Sequence, residues 1–146
     1  MQNVNLYIET SIHGPAKKPG SYIYILECVR NGEARTRDGR GAIGETTENA
    51  LALTALAEAV QRITEPCSLR VFTRCEHILN VMGNHWARQW RKNGWRNAKG
   101  SPVKHAELWE KALCGLDRHC CLFTDEEHSY TRWMQEELKR NRRKPA

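Results

Sequence analysis

Val4 to Glu9 (VNLYIE) alternates weakly between apolar and polar positions and is rich in strand formers, which predicts a first strand ending at a carboxylate. Gly14, Pro15, Pro19 and Gly20 then punctuate a turn. Ser21 to Arg30 (SYIYILECVR) crowds apolar residues onto both faces, the pattern of a strand that is central or well covered. Asn31-Gly32 signals a hairpin, and the polar stretch to Gly44 reads as a third strand, weakened by Gly39 and Gly41. An antiparallel meander is expected.

The period then changes. Thr46-Thr47-Glu48-Asn49 offers N-cap residues before ALALTALAEAVQRI, whose apolar spacing of three and four predicts a helix to about Ile63. Pro66 stops it, Leu69 to Thr73 is a fourth strand, and a short helix follows from Cys75 to Met82. A crossover helix between the meander and this strand requires a parallel pairing. His85 to Trp95 is predicted helical; Gly94, Asn97, Gly100 and Pro102 mark a loop; Val103 to Arg118 is helical again. Cys120 to Thr124 is a short strand, and an amphipathic helix after Tyr130 carries Trp133, Met134 and Leu138.

With 146 residues, 40% hydrophobic and 27% charged, the chain is expected to be one domain and is not of disordered, collagen or coiled-coil type. No apolar run reaches membrane-spanning length, and MQNVNLYIET lacks the features of a secretory signal, so no membrane association and a cytoplasmic location are expected. The six cysteines form no CxxC pair and the six histidines no matching ligand set, which favours reduced thiols and no structural metal.

The net charge of +6 is segregated. Arg88, Arg91, Lys92, Arg96, Lys99 and Lys104 lie between Asn84 and Lys104 with no acid among them. Five more basic residues fall between Lys139 and Lys144. Eleven of the 23 basic residues sit in these segments, so the remainder carries 12 against 17 acidic residues. Clustered basic charge interleaved with tryptophan is the footprint of a surface that tracks phosphates, which makes nucleic acid the leading partner class. A solvated chain end explains the last segment equally well.

The stretch HWARQWRKNGWRNAKGSPVKHAELWEKAL, residues 85 to 113, carries Trp86, Trp90, Gly94-Trp95, Pro102-Val103-Lys104 and Leu108-Trp109. In this order and spacing, together with the element order, it resembles the type 1 ribonuclease H family over nearly the whole chain. The resemblance implies an α/β, ribonuclease H-like fold: a five-stranded mixed sheet, three strands antiparallel and two parallel, with helices on both faces. It implies a domain over residues 1–138, with residues 85–104 as a basic protrusion gripping the DNA strand of a hybrid; the charge run at the end reads as a basic tail over 139–146. Packing of Trp86 and Trp90 against the protrusion's own loop is the plainer role for these rings, and compatible with phosphate contacts from Arg88, Arg91, Lys92 and Arg96.

The family hydrolyses the RNA strand of a hybrid with two divalent ions held by four carboxylates. Carried over by position, the first falls on Glu9 in Tyr7-Ile8-Glu9-Thr10-Ser11, where the family has aspartate. The second falls on Ala52, the third on Arg74, and the fourth on Glu136 or Glu137. One acid is lost and another has become a permanent cation, so a two-metal centre is not expected, and Arg74 is expected to bridge Glu9 and Glu136. Glu48, one turn before Ala52, is a weak substitute, for which a stabilising acid at a helix start is the commoner role. His128 weakly matches the family's loop histidine. The residues reading RNA fall on Glu48 and Asn49, of which only Asn49 is kept, and Thr47 matches a phosphate-pocket position.

The function expected is nucleic-acid binding, to RNA–DNA hybrid or duplex, with hydrolysis lost and no cofactor; a monomer is expected. An active hybrid endonuclease using magnesium or manganese at Glu9, Glu48 and Glu136 is the first alternative. A protein-interaction module with a protein partner is the second.

Overall fold

The computed structural model describes residues 2–143, with side chains described through residue 140. Its elements are β1 (Gln2–Thr10), β2 (Lys18–Arg30), β3 (Glu33–Thr46), α1 (Glu48–Gln61), β4 (Cys67–Phe72), α2 (Glu76–Gly83), α3 (Trp86–Lys92), α4 (Ala106–Leu116), β5 (Cys120–Thr124) and α5 (Thr131–Arg143). The sheet runs β3-β2-β1-β4-β5, with β1 antiparallel to β2, β2 antiparallel to β3, and the β1/β4 and β4/β5 pairs parallel. This is the mixed α/β architecture anticipated from the order of elements.

Alternation along the inner strands explains why both faces are covered. Leu6 and Ile8 of β1, with Tyr22 and Tyr24 of β2, face the main core beneath α1, α2 and α4. Tyr7, Ile23 and Ile25 point to the opposite face and meet Met134 and Leu138 of α5. Helix α1 lies between the sheet and α4, and is buried almost all round by Leu51, Ala52, Leu53, Ala55, Leu56, Ala57, Ala59 and Val60. Thr47 caps it, its side chain accepting from the Ala50 N–H at 3.2 Å.

Gly39 and Gly41 belong to β3 rather than interrupting it. They pair with Tyr24 and Tyr22 of β2, whose rings lie across them where any Cβ would stand. A tyrosine laid over a cross-strand glycine shields backbone that a side chain would otherwise cover. Gly41→Val should therefore displace the Tyr22 ring and cost about 1–3 kcal/mol, read as a lower urea midpoint. An unchanged midpoint would show that the ring moves aside freely.

Two helices are shorter than their apolar spacing suggests. Helix α3 stops at Lys92 because Gly94 (φ 70°) and Trp95 (φ 62°) turn left-handed, and α4 starts only after His105 (φ 62°). Helix α5 runs on through Arg143, so a boundary after Leu138 falls inside a helix. Lys144 to Ala146, the end of the expected basic tail, lie outside the described residues. Among the described residues no helix is long and apolar enough to cross a membrane.

Candidate functional site

The centre lies at the carboxyl ends of β1 and β4. Tyr7 and Phe72 are paired in parallel register, so Glu9 and Arg74, each two residues farther on, emerge side by side. Glu9 is buried at 3% exposure, and its Oε1 accepts from Arg74 Nη2. The same oxygen accepts from Gln135 Nε2 of α5 at 2.6 Å. Arg74 keeps half of its side chain in solvent. Ala52 contributes only a buried methyl group. The space bounded by Glu9, Glu48, Ala52 and Arg74 is about 10 Å³. That is roughly the room one water needs.

The fourth expected position requires correction. Arg74 does not bridge Glu9 to Glu136: Glu136 is exposed and accepts from Arg132 Nε at 3.3 Å, one turn away on α5. Glu137 pairs with Arg40 at 3.5 Å and Arg140 at 3.7 Å. The cause is helix phase. Met134 and Leu138, both buried, fix which face of α5 meets the sheet, and that rotation turns Gln135 toward Glu9.

The donor set does not fit a pair of divalent ions. One carboxylate is already engaged by a guanidinium, its second partner is a neutral amide, and a methyl group stands at the helix position. Glu48 borders the same space but accepts the Gly14 N–H at 3.3 Å. Among the described residues no three His, Cys, Asp or Glu side chains are grouped to hold a metal ion. Two ions about 3.5–4 Å apart need several converging carboxylates and more room than this.

His128 stands beside the centre, Nε2 4.0 Å from Glu9 Oε2, but its ring is largely buried against Tyr7. Its Nδ1 accepts from the Tyr130 N–H at 3.2 Å, which fixes the neutral tautomer with the proton on Nε2. Glu27 anchors this loop by accepting from the hydroxyls of Tyr130 at 2.5 Å and Tyr7 at 2.9 Å, and from Asn5 at 3.0 Å. Burial opposes the Glu27 charge, but these donors outweigh it and hold the carboxyl below its ordinary value. His128 is therefore pinned in the fold.

A pH dependence follows. Burial holds His77, His105, His119 and His128 below the ordinary imidazole value. As pH falls through about 6.5 the unfolded chain takes up protons that the folded chain refuses, so stability falls with acidification in that window. Protonation of Glu27 at lower pH removes a further contribution. Thermal melts should show a lower midpoint at about pH 5.5 than at about pH 7.5. A higher midpoint in acid would contradict this.

A groove of about 910 Å³ runs from the α1 start, with Thr47, Glu48 and Asn49, past Arg74 and His77 to Trp90, Lys104 and His105. Asn49 Oδ1 accepts from Cys75 Sγ at 3.4 Å. Trp90 is partly buried, its ring edge-on to Trp109 at 6.4 Å, and Trp95 also packs on the core. Trp86, expected to pack inward, is 43% exposed. Arg88 and Arg91 both pair with Asp117, at 3.5 and 2.9 Å, tying α3 to the end of α4. Arg96 donates to the Gly100 carbonyl at 2.9 Å. Lys92, Lys99 and Lys104 are exposed, and among the described residues none has an acidic partner. Sequence reasoning missed Gln135 and Asp117; spacing from Met134 signalled the first, whereas nothing local signalled the second.

The family model for RNase H matches residues 1–141. A ribonuclease H from Nitratidesulfovibrio vulgaris is 34% identical over 119 residues, covering 82% of this chain and 73% of that protein. One from Clostridium botulinum is 32% identical over 125 residues, covering 84% and 81%. Among solved structures, LC9-RNase H1, described as a type 1 RNase H with the type 2 active-site motif, superposes with a TM-score of 0.69 at 21% identity, covering 96% of this chain and 70% of that one. The foamy viral protease-reverse transcriptase, solved in complex with RNA/DNA hybrid, gives 0.66 at 15% identity, covering 94% and 19%. With the element order, the sheet topology and these matches in agreement, the chain belongs to the type 1 (RNase HI-like) ribonuclease H family.

Proposed function

We propose that this chain is a ribonuclease H-like domain that binds nucleic acid, RNA–DNA hybrid or duplex, and has lost the hydrolytic step. The observation that carries the reading is the Arg74 guanidinium seated on the buried carboxylate of Glu9. A guanidinium keeps its charge at every physiological pH, so it repels the divalent ions that hydrolysis in this family requires. The groove from Thr47 to His105 supports retained binding, with Lys104 on its wall and Lys92 and Lys99 exposed at the end of α3 and in the loop after it. Relatives of this chain are named ribonucleases H, and a fold neighbour was captured on RNA/DNA hybrid.

Fluorescence anisotropy with a labelled RNA–DNA hybrid and the matching DNA duplex, titrated at several salt concentrations, tests binding. Affinity should fall steeply as salt rises, with a log–log slope of about 0.9 per phosphate neutralised. Replacing Lys92, Lys99 and Lys104 together by glutamine should flatten that slope, while Arg88→Gln with Arg91→Gln should change it less because Asp117 offsets one of those two charges. Absence of binding to either probe at low salt would favour a protein-interaction role.

A further inference from the structure

We propose that Arg74, beyond displacing metal, is itself a phosphate-binding residue, taking over the place of the ions as the cation that holds a backbone phosphodiester. The inference rests on the nucleic-acid-binding reading above.

Arg74 is anchored at one corner only. Nη2 donates to Glu9 Oε1, and that oxygen is also held by Gln135 at 2.6 Å, so the anchoring carboxylate is itself fixed from β1 and α5. Among the described residues Nη1 and Nε have no hydrogen-bond partner, and half of the side chain faces solvent. A guanidinium held at one corner, with Nη1 and Nε unengaged, can present the planar fork that matches two phosphate oxygens. Holding that fork in advance removes much of the side-chain entropy a free surface arginine loses on binding.

Arg74 also stands where two open spaces meet. One is the groove containing Lys104, His77 and His105; the other is a cleft of about 360 Å³. Asp125, Glu126 and Glu127 wall the second and repel phosphate, with Arg132 as its other cation. In the groove the acids are Glu48 and Glu76, and Glu48 is engaged by Gly14. The charge pattern therefore directs a strand along the groove, one phosphate on Arg74 and others toward Lys104. No metal is needed, because the permanent charge of the guanidinium meets the phosphate directly.

The test is anisotropy with a labelled RNA–DNA hybrid and duplex in EDTA, comparing the unaltered protein with a Glu9→Gln/Arg74→Gln double variant, which leaves no buried charge unpaired. The expected result is that the unaltered protein binds in EDTA, magnesium does not tighten it, and the double variant binds about tenfold more weakly with a salt slope lower by about 0.9. Unaltered affinity and slope in the double variant would overturn the phosphate role while leaving nucleic-acid binding intact. Tightening by magnesium would overturn it as well. No binding by the unaltered protein at low salt would remove both readings together. Should the double variant unfold, Arg74→Lys carries the test: the slope should persist while affinity falls severalfold with loss of the fork, and unchanged affinity would overturn the proposal.

Discussion

Incubated with a labelled RNA–DNA hybrid and either magnesium or manganese, the protein should release no product above that of a Glu9→Ala control. Enzymes accelerate their reactions by about a million-fold or more, and phosphodiester hydrolysis in this family uses two ions to activate water and stabilise the leaving oxygen. Glu9 already spends an oxygen on Arg74 and Gln135, and Ala52 and Gln135 supply no charge. Single reversions should therefore fail. Arg74→Asp frees Glu9 but leaves the helix positions without acids. Ala52→Glu forces a longer, charged side chain into a fully buried position beside a cavity of about 10 Å³. Metal-dependent cleavage abolished by Glu9→Ala would overturn the loss of hydrolysis.

Arg74→Ala should destabilise the fold, although Arg74 is half exposed. The cost falls on Glu9, whose carboxylate is almost wholly buried and would retain Gln135 as its hydrogen-bond donor. Stripping a partner from a buried charge costs roughly 3–5 kcal/mol in a dry interior; with one side of this pair in water, about 1–3 kcal/mol is expected. Each kcal/mol lowers the melting temperature of a domain near this size by roughly 3–5 °C. The asymmetry is the diagnostic feature. Glu9→Gln with Arg74→Ala leaves no orphaned charge, so the double variant should melt above Arg74→Ala alone. Equal melting of the two would show that Glu9 does not depend on Arg74.

The fold was legible because its signals are local and redundant. Apolar crowding on both faces of β2 follows from its inner position, and the change from alternation to helical spacing at Thr47 marks the crossover that makes β4 parallel to β1. The third strand was legible despite Gly39 and Gly41; a glycine weakens a strand in isolation, but here the register with Tyr24 and Tyr22 gives each a covering ring. At the site, residue type alone was persuasive at Glu136, but the anchoring of Met134 and Leu138 decided that Gln135 faces Glu9. The pairing of Arg88 and Arg91 with Asp117 joins positions more than 25 residues apart. No charge count along the chain could separate those arginines from the free lysines nearby.

Manganese binding, followed by paramagnetic resonance as the protein is titrated against the ion, addresses the exchange of metal for guanidinium most directly. Free manganese should keep its full signal at every protein concentration, with the melting temperature unchanged by the ion. Loss of signal equivalent to two ions per chain, abolished by Glu9→Ala, would mean that Arg74 swings away to admit them.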